Sequence, residues 1–228
     1  MKRIFCIIPA RSGSKRIKNK NILKFYGVPL IGRTIETAKK TKIFEKIIVS
    51  SDSRKIIDIS KKYGAKSYGL RERKYSGDKV TINQSLLREI LKYNLKDIDI
   101  FCCIYPATPL LKPNMLINAY KKFIKGNYDS LISVTKYDYP IFRALKVVKK
   151  NVNFFWKKFE KKMTQDMEET VHDCGYFYFF KTKNFIKNKK IITKNTGFYE
   201  VPRNLAIDID TKMDLKIAKK LFKKWRKY

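Results

Sequence analysis

Short apolar runs alternate with longer amphipathic ones along most of this chain, the pattern of strands and helices in an α/β layered fold. The apolar runs predict strands at Arg3–Ile8, Lys46–Ser50, Ala65–Tyr68, Ile98–Ile104, Ser130–Thr135, Tyr176–Phe180 and Leu205–Ile209. Apolar residues at spacings of three and four predict helices over Leu30–Thr41, Ser53–Tyr63, Thr81–Tyr93, Pro113–Lys125 and Lys212–Lys224. The first half therefore reads as a run of βα units. From about Pro140 to Thr170 the rhythm fails: polar residues and scattered aromatics follow no period. That stretch is expected to be an inserted lobe or a dimerisation arm, and the aromatics Trp156 and Phe159 favour an interface. With no internal repeat, no Gly/Ser linker and no biased tail beyond the basic end Lys223–Tyr228, a single domain over residues 1–228 is expected.

Composition narrows the class. A chain of 228 residues with 44% hydrophobic content can bury one substantial core. No stretch approaches the roughly 20 apolar residues of a membrane span, so a soluble, unexported, cytoplasmic protein without a membrane partner is expected. Cys6, Cys102, Cys103 and Cys174 lack paired metal-ligand spacing, and three sit in apolar runs, as small buried hydrophobes do. The formal charge of +33 invites a nucleic-acid reading, whose mark would be steep salt dependence of binding. Lysine pairs such as Lys39/Lys40, Lys61/Lys62 and Lys121/Lys122 instead punctuate nearly every predicted helix, the pattern of solvated faces. No specific nucleic-acid partner is expected.

Two segments carry candidate chemistry. Directly after the first predicted strand comes Pro9-Ala10-Arg11-Ser12-Gly13-Ser14-Lys15-Arg16-Ile17-Lys18-Asn19-Lys20-Asn21. Ligands of α/β sheets lie beyond the carboxyl ends of strands, Gly13 lets backbone N–H groups approach oxygens, and Arg11, Lys15 and Lys20 can neutralise a triphosphate. The spacing fits neither the Walker loop nor the dinucleotide fingerprint, and an ordinary turn with solvated bases remains open. Near the other end, Asp208 and Asp210 are two apart just before a helix. In extended backbone both face one side and can share a hard cation. The alternative is that Asp210 or Thr211 caps that helix, while Asp214 supplies helix-start electrostatics.

The run PARSGSKRIKNKN resembles the signature of the sialic acid cytidylyltransferase family. Ile48-Val49-Ser50-Ser51-Asp52-Ser53, Leu70-Arg71 and the aspartate pair follow in the family's order, so the resemblance covers Arg3 to about Leu221. It implies a Rossmann-like nucleotidyltransferase fold with a mostly parallel mixed sheet, a homodimer, and Mg²⁺ held by Asp208 and Asp210. It also implies CTP and an acidic keto-sugar as substrates. Arg11, Ser12, Gly13, Ser14, Lys15, Asn21 and Arg71 are then the nucleotide-binding residues, and Lys20 and Asp210 the catalytic ones.

Two further segments resemble the pseudaminic acid branch. Tyr105, in Cys103-Ile104-Tyr105-Pro106-Ala107, stands where the sialic acid enzymes usually place a sugar-contacting glutamine. Gln165-Asp166, followed by Val171-His172-Asp173-Cys174-Gly175-Tyr176, matches that branch as well. Tyr105, Gln165, His172 and Asp173 are accordingly the expected sugar-binding residues. His172, the sole histidine, lacks an evident nucleophile and reads as a hydrogen-bonding or a structural residue. One departure stands out: the family usually carries an arginine shortly before the glutamine, where this chain has Met163 and Thr164. Lys161, Lys162 or Arg143 are the alternatives for the sugar carboxylate. Rival sugars are legionaminate, N-acetylneuraminate and an eight-carbon keto-acid; an inactive relative that keeps the fold is the third class of reading.

Overall fold

A computed structural model of the chain describes residues 3–77 and 79–225. The last three residues of the basic end, 226–228, lie outside the described residues. The strands are β1 (Ile4–Pro9), β2 (Lys24–Phe25), β3 (Val28–Pro29), β4 (Lys46–Ser50), β5 (Ile100–Ile104), β6 (Ser130–Lys136), β7 (Leu145–Val148), β8 (Asn151–Phe154), β9 (Val171–Lys181) and β10 (Thr196–Glu200). The helices are α1 (Leu30–Thr41), α2 (Arg54–Lys62), α3 (Ile82–Lys92), α4 (Pro113–Lys125), α5 (Thr182–Asn188) and α6 (Lys212–Trp225). Six strands form one sheet in the order β10-β6-β9-β5-β1-β4. β1 pairs in parallel with β4 and β5, β10 with β6, and β9 alone runs antiparallel to both its neighbours.

The period of two along the central strands sends side chains to two cores. Cys6, Ile8, Cys102 and Ile104 pack on one face against Ile31 and Ile35 of α1 and Leu116 and Phe123 of α4. Phe5, Ile7, Phe101 and Cys103 pack on the other against Leu86 and Ile90 of α3 and Phe185 of α5. The expected α/β layering with helices on both faces is therefore present. All four cysteines are free and buried, and burial pushes their thiols up, Cys174 to about 11, so none is a ready nucleophile. Among the described residues no helix is long and apolar enough to cross a membrane.

Helix starts follow local chemistry. Ser53 Oγ accepts from Ile56 N at α2, Thr81 and Gln84 form a reciprocal capping box at α3, and Pro113 opens α4. Two expected strands are corrected. Ala65–Tyr68 makes only one parallel bridge, Lys66 to Ile48, before Gly69, at φ +86°, turns the chain away. Leu205–Ile209 joins no sheet: the buried Tyr176 hydroxyl donates to the Leu205 carbonyl and accepts from Ile207 N at 3.1 Å, occupying backbone groups that a strand neighbour would take. β10 and α5 form where no element was expected.

The segment between β6 and β9 is the irregular stretch. It contains the antiparallel hairpin β7–β8, exposed along nearly its whole length, and a small aromatic group in which Phe142 stacks on Phe159 at 4.5 Å and meets Trp156 edge-on at 6.1 Å.

Candidate active site

β1, β4 and β5 are parallel, so their carboxyl ends open on one side of the sheet. The Arg11–Asn21 loop follows β1, Ser51-Asp52 follows β4, and Tyr105-Pro106-Ala107 follows β5. A cavity of about 670 Å³ lies there, in the size range of small-molecule sites. Arg11, Ser14, Lys15, Lys20, Asn21, Arg71, Tyr105, Asp208 and Asp210 all line it.

The loop is held from behind. Asp52 accepts from Ser12 N at 2.7 Å and from Ser12 Oγ at 3.0 Å. Asn21, 5% exposed, donates from Nδ2 to the Arg11 carbonyl at 2.8 Å. Ser12 and Gly13 are not in the cavity lining; Ser12 serves the loop's shape through Asp52.

Ile209 is fully buried beside Phe25, Leu30 and Phe222, which fixes the flanking Asp208 and Asp210 on the cavity side. Lys20 Nζ lies 3.0 Å from Asp210 Oδ1 and 3.9 Å from Asp208 Oδ1, and Arg16 Nη2 lies 2.7 Å from Asp210 Oδ2. Desolvation raises the Asp208 carboxyl above its ordinary range, opposed by Lys20 and reinforced by Asp210. Gly175 in β9 lies beside Asp208 at φ +65°, a backbone conformation that side-chain-bearing residues rarely adopt. The capping question resolves in favour of Thr211. Thr211 Oγ1 accepts from Asp214 N at 3.2 Å, while Asp214 Oδ2 accepts from Asp210 N at 3.0 Å and Thr211 N at 2.7 Å. Burial of Asp214 raises its carboxyl, but these bonds outweigh it and leave it below the ordinary range. The Asp210 carboxylate is thus left for the cavity.

Arg71, 5% exposed, donates from Nε to Ser76 Oγ at 3.3 Å and from Nη1 to Ser50 Oγ at 3.5 Å. Its burial lowers the guanidinium below the ordinary arginine value. Tyr105 meets the Tyr178 ring edge-on at 5.7 Å, and the Tyr178 hydroxyl donates to the Asp173 carboxylate at 2.8 Å. Burial raises both phenols, so both remain neutral donors.

Not every expected residue reaches this cavity. Asp173 touches it only through Tyr178 and Tyr105. His172 packs on the Tyr137 ring at 4.8 Å with Nδ1 3.0 Å from the Asp173 carbonyl, and Gln165 lies in an exposed turn of the arm. Arg143, a candidate for the sugar carboxylate, donates to the Glu160 carbonyl within the arm at 2.9 Å. Arg16 was not singled out, although it lies inside the loop motif; the run of residues 48–53 was noted without a role for Ser50 or Asp52, and nothing local marks Tyr178.

Comparison with known proteins gives the family and the fold. Residues 5–227 match the family model described as Cytidylyltransferase. The chain is 41% identical over 221 residues to the pseudaminic acid cytidylyltransferase of Campylobacter jejuni subsp. jejuni serotype O:23/36 (strain 81-176), covering 96% of this chain and 95% of that one. It is 30% identical over 219 residues to the N-acylneuraminate cytidylyltransferase of Escherichia coli O18:K1:H7 (strain RS218 / NMEC), covering 95% of this chain and 51% of that one. In fold it is similar to CMP:2-keto-3-deoxy-manno-octonic acid synthetase complexed with CTP, with a TM-score of 0.72 at 14% identity over 98% of this chain and 100% of that one. The chain belongs to the cytidylyltransferase family.

Proposed function

We propose that the chain joins CMP from CTP to the anomeric hydroxyl of an acidic nine-carbon keto-sugar, pseudaminic acid, releasing pyrophosphate. The observation that carries this reading is the gathering, in the lining of one cavity, of Arg11, Lys15 and Lys20 from the glycine loop with Asp208 and Asp210. The 41% identity to a pseudaminic acid cytidylyltransferase supports the choice of sugar.

The donor set fits Mg²⁺. Asp208 and Asp210 offer hard carboxylate oxygens in the lining of one cavity, the donor type that Mg²⁺ takes. Such a site is completed by water and substrate phosphates, as Mg²⁺ prefers. When bound, the ion supplies charge neutralisation at the reacting phosphate. Arg11, Lys15 and Lys20 bind the triphosphate and spread its developing negative charge, and Arg71 holds the cytidine from the opposite wall. The sugar's anomeric oxygen forms the new bond to the α-phosphorus as the bond to pyrophosphate breaks, and an Asp210 oxygen takes the hydroxyl proton. Tyr105, oriented by Tyr178 and Asp173, offers a neutral donor to the sugar.

The exposed hairpin β7–β8 supports a homodimer built through the arm, in which Gln165 and His172 would serve a composite sugar site. Four reduced, buried cysteines suit work in the cytoplasm. The test of the sugar is kcat/KM for pyrophosphate release with CTP, Mg²⁺ and either pseudaminate, legionaminate or N-acetylneuraminate. Preference for pseudaminate by about a hundredfold is expected, because a buried polar group without its partner is costly. Equal or better use of another sugar would reassign the substrate.

A further inference from the structure

Behind the cavity wall that carries Arg71 lie three more polar side chains: Ser50 at 2% exposure, Arg88 at 5% and Glu89 at 1%. Burying such groups is costly unless each is hydrogen-bonded, and here they are joined in series. Arg88 donates to Glu72 at 2.7 Å, to the Leu70 carbonyl at 3.0 Å and to Glu89 Oε1. The same Glu89 oxygen accepts from Ser50 Oγ at 2.7 Å. Ser50 ends β4, and its carbonyl accepts from Ala10 N at 2.8 Å, so both its backbone and its side chain are fixed.

This series has a direction. Ser50 and Arg88 both donate to Glu89 Oε1, and with its one proton so used the Ser50 oxygen is left to accept from Arg71 Nη1 at 3.5 Å. Ser76 Oγ accepts from Arg71 Nε, and donates onward to the Glu72 carbonyl at 3.0 Å. Two of the three guanidinium nitrogens are thereby held from behind. Among the described residues nothing accepts from the third, Nη2, on a side chain that lines the cavity.

We propose that Ser50 and Glu89 are positioning residues for nucleobase recognition: they hold the Arg71 guanidinium so that Nη2 donates to the acceptor edge of cytosine. Cytosine presents acceptors at O2 and N3, whereas uracil presents a donor at N3. A guanidinium held in one orientation donates to the first pattern and is opposed by the second; a loosened one discriminates less. The inference rests on the reading of the cavity as the CTP site.

The test is Ser50→Ala, with Glu89→Gln as a second variant, each checked for fold by circular dichroism. Steady-state kinetics with CTP and UTP and calorimetric titration of CTP are the readouts. Ser50→Ala is expected to raise the KM for CTP about fivefold, with kcat within twofold, and to narrow the CTP-over-UTP preference by a similar factor, the scale of one lost hydrogen bond. Glu89→Gln is expected to shift both in the same direction. In an Arg71→Ala background, Ser50→Ala should add nothing, because its action passes through Arg71. If a folded Ser50→Ala chain keeps both KM and base preference, or if its effect persists undiminished without Arg71, the positioning role is overturned while CTP binding stands. A wild-type chain that binds no CTP overturns the reading of the cavity and this inference with it.

Discussion

Around the cavity, charged and polar groups are buried and paired; along the arm, apolar groups are exposed. Glu89 is 1% exposed and bonded to two side chains, whereas Val147 in β7 is 75% exposed and Val152 in β8 is 61% exposed. Each is the reverse of what solvent favours for an isolated chain. At the cavity the cost is offset inside one chain, by Arg88, Ser50 and Arg71. Among the described residues nothing covers the arm's hairpin, which leaves its valines in the kind of exposed apolar surface that suits docking. The buried network is satisfied within one chain, whereas the exposed hairpin is what the proposed homodimer would cover.

That contrast can be broken from either side. The largest effect is expected from Asp210→Asn, which should leave the fold intact because the side chain lines the cavity, but lower turnover about a thousandfold by removing the charge proposed to act on the reacting atoms. Stopped assays together with a thermal melt separate the two effects, and a destabilised fold would point to a structural aspartate instead. Next in size, Val147→Asp combined with Val152→Asp should weaken self-association about a hundredfold, with the melting of the sheet little changed. Sedimentation equilibrium reads this directly, and a wild-type monomer, or association unchanged in the variant, would overturn the proposed dimer through the arm.

The smallest effect concerns the rim of the buried network. The Arg88 guanidinium bonded to Glu72 is the chief reason that its carboxyl falls from an ordinary 4.5 to about 2. A carboxyl depressed in the folded state contributes stability above its unfolded value, and that contribution fades as pH falls from about 4.5 towards about 2. The Glu72 side chain is 40% exposed, so solvent screening limits the contribution to under about 1 kcal/mol. Glu72→Gln should therefore be slightly less stable than wild type at pH 7, with the difference shrinking below about pH 4.5 and closing only below about pH 2, as read by denaturant melts across that range.

What the sequence reveals and what it conceals divides along the same line. α1 is legible at Leu30–Thr41 because its buried face repeats every three to four residues, and β4 is legible at Lys46–Ser50 because it is a short apolar run. The half-exposed edge strand β10 has no such pattern and was not legible. Leu205–Ile209 alternates like a strand, yet the hydroxyl that holds it belongs to Tyr176, about thirty residues earlier, which no local pattern reports. The site divides similarly. The glycine loop and the aspartate pair are contiguous in sequence, so their chemistry is local and readable. Ser50 and Glu89 meet only through the packing of α3 against the sheet, and their roles become visible only with the fold.

The most direct test of the account follows the α-phosphate itself. With CTP labelled at that phosphorus, Mg²⁺ and pseudaminate, the wild-type chain is expected to move the label into a CMP-sugar, with one pyrophosphate released per product, while Asp210→Asn binds CTP and forms almost none. Release of pyrophosphate without a labelled sugar nucleotide, or full product formation by Asp210→Asn, would contradict it.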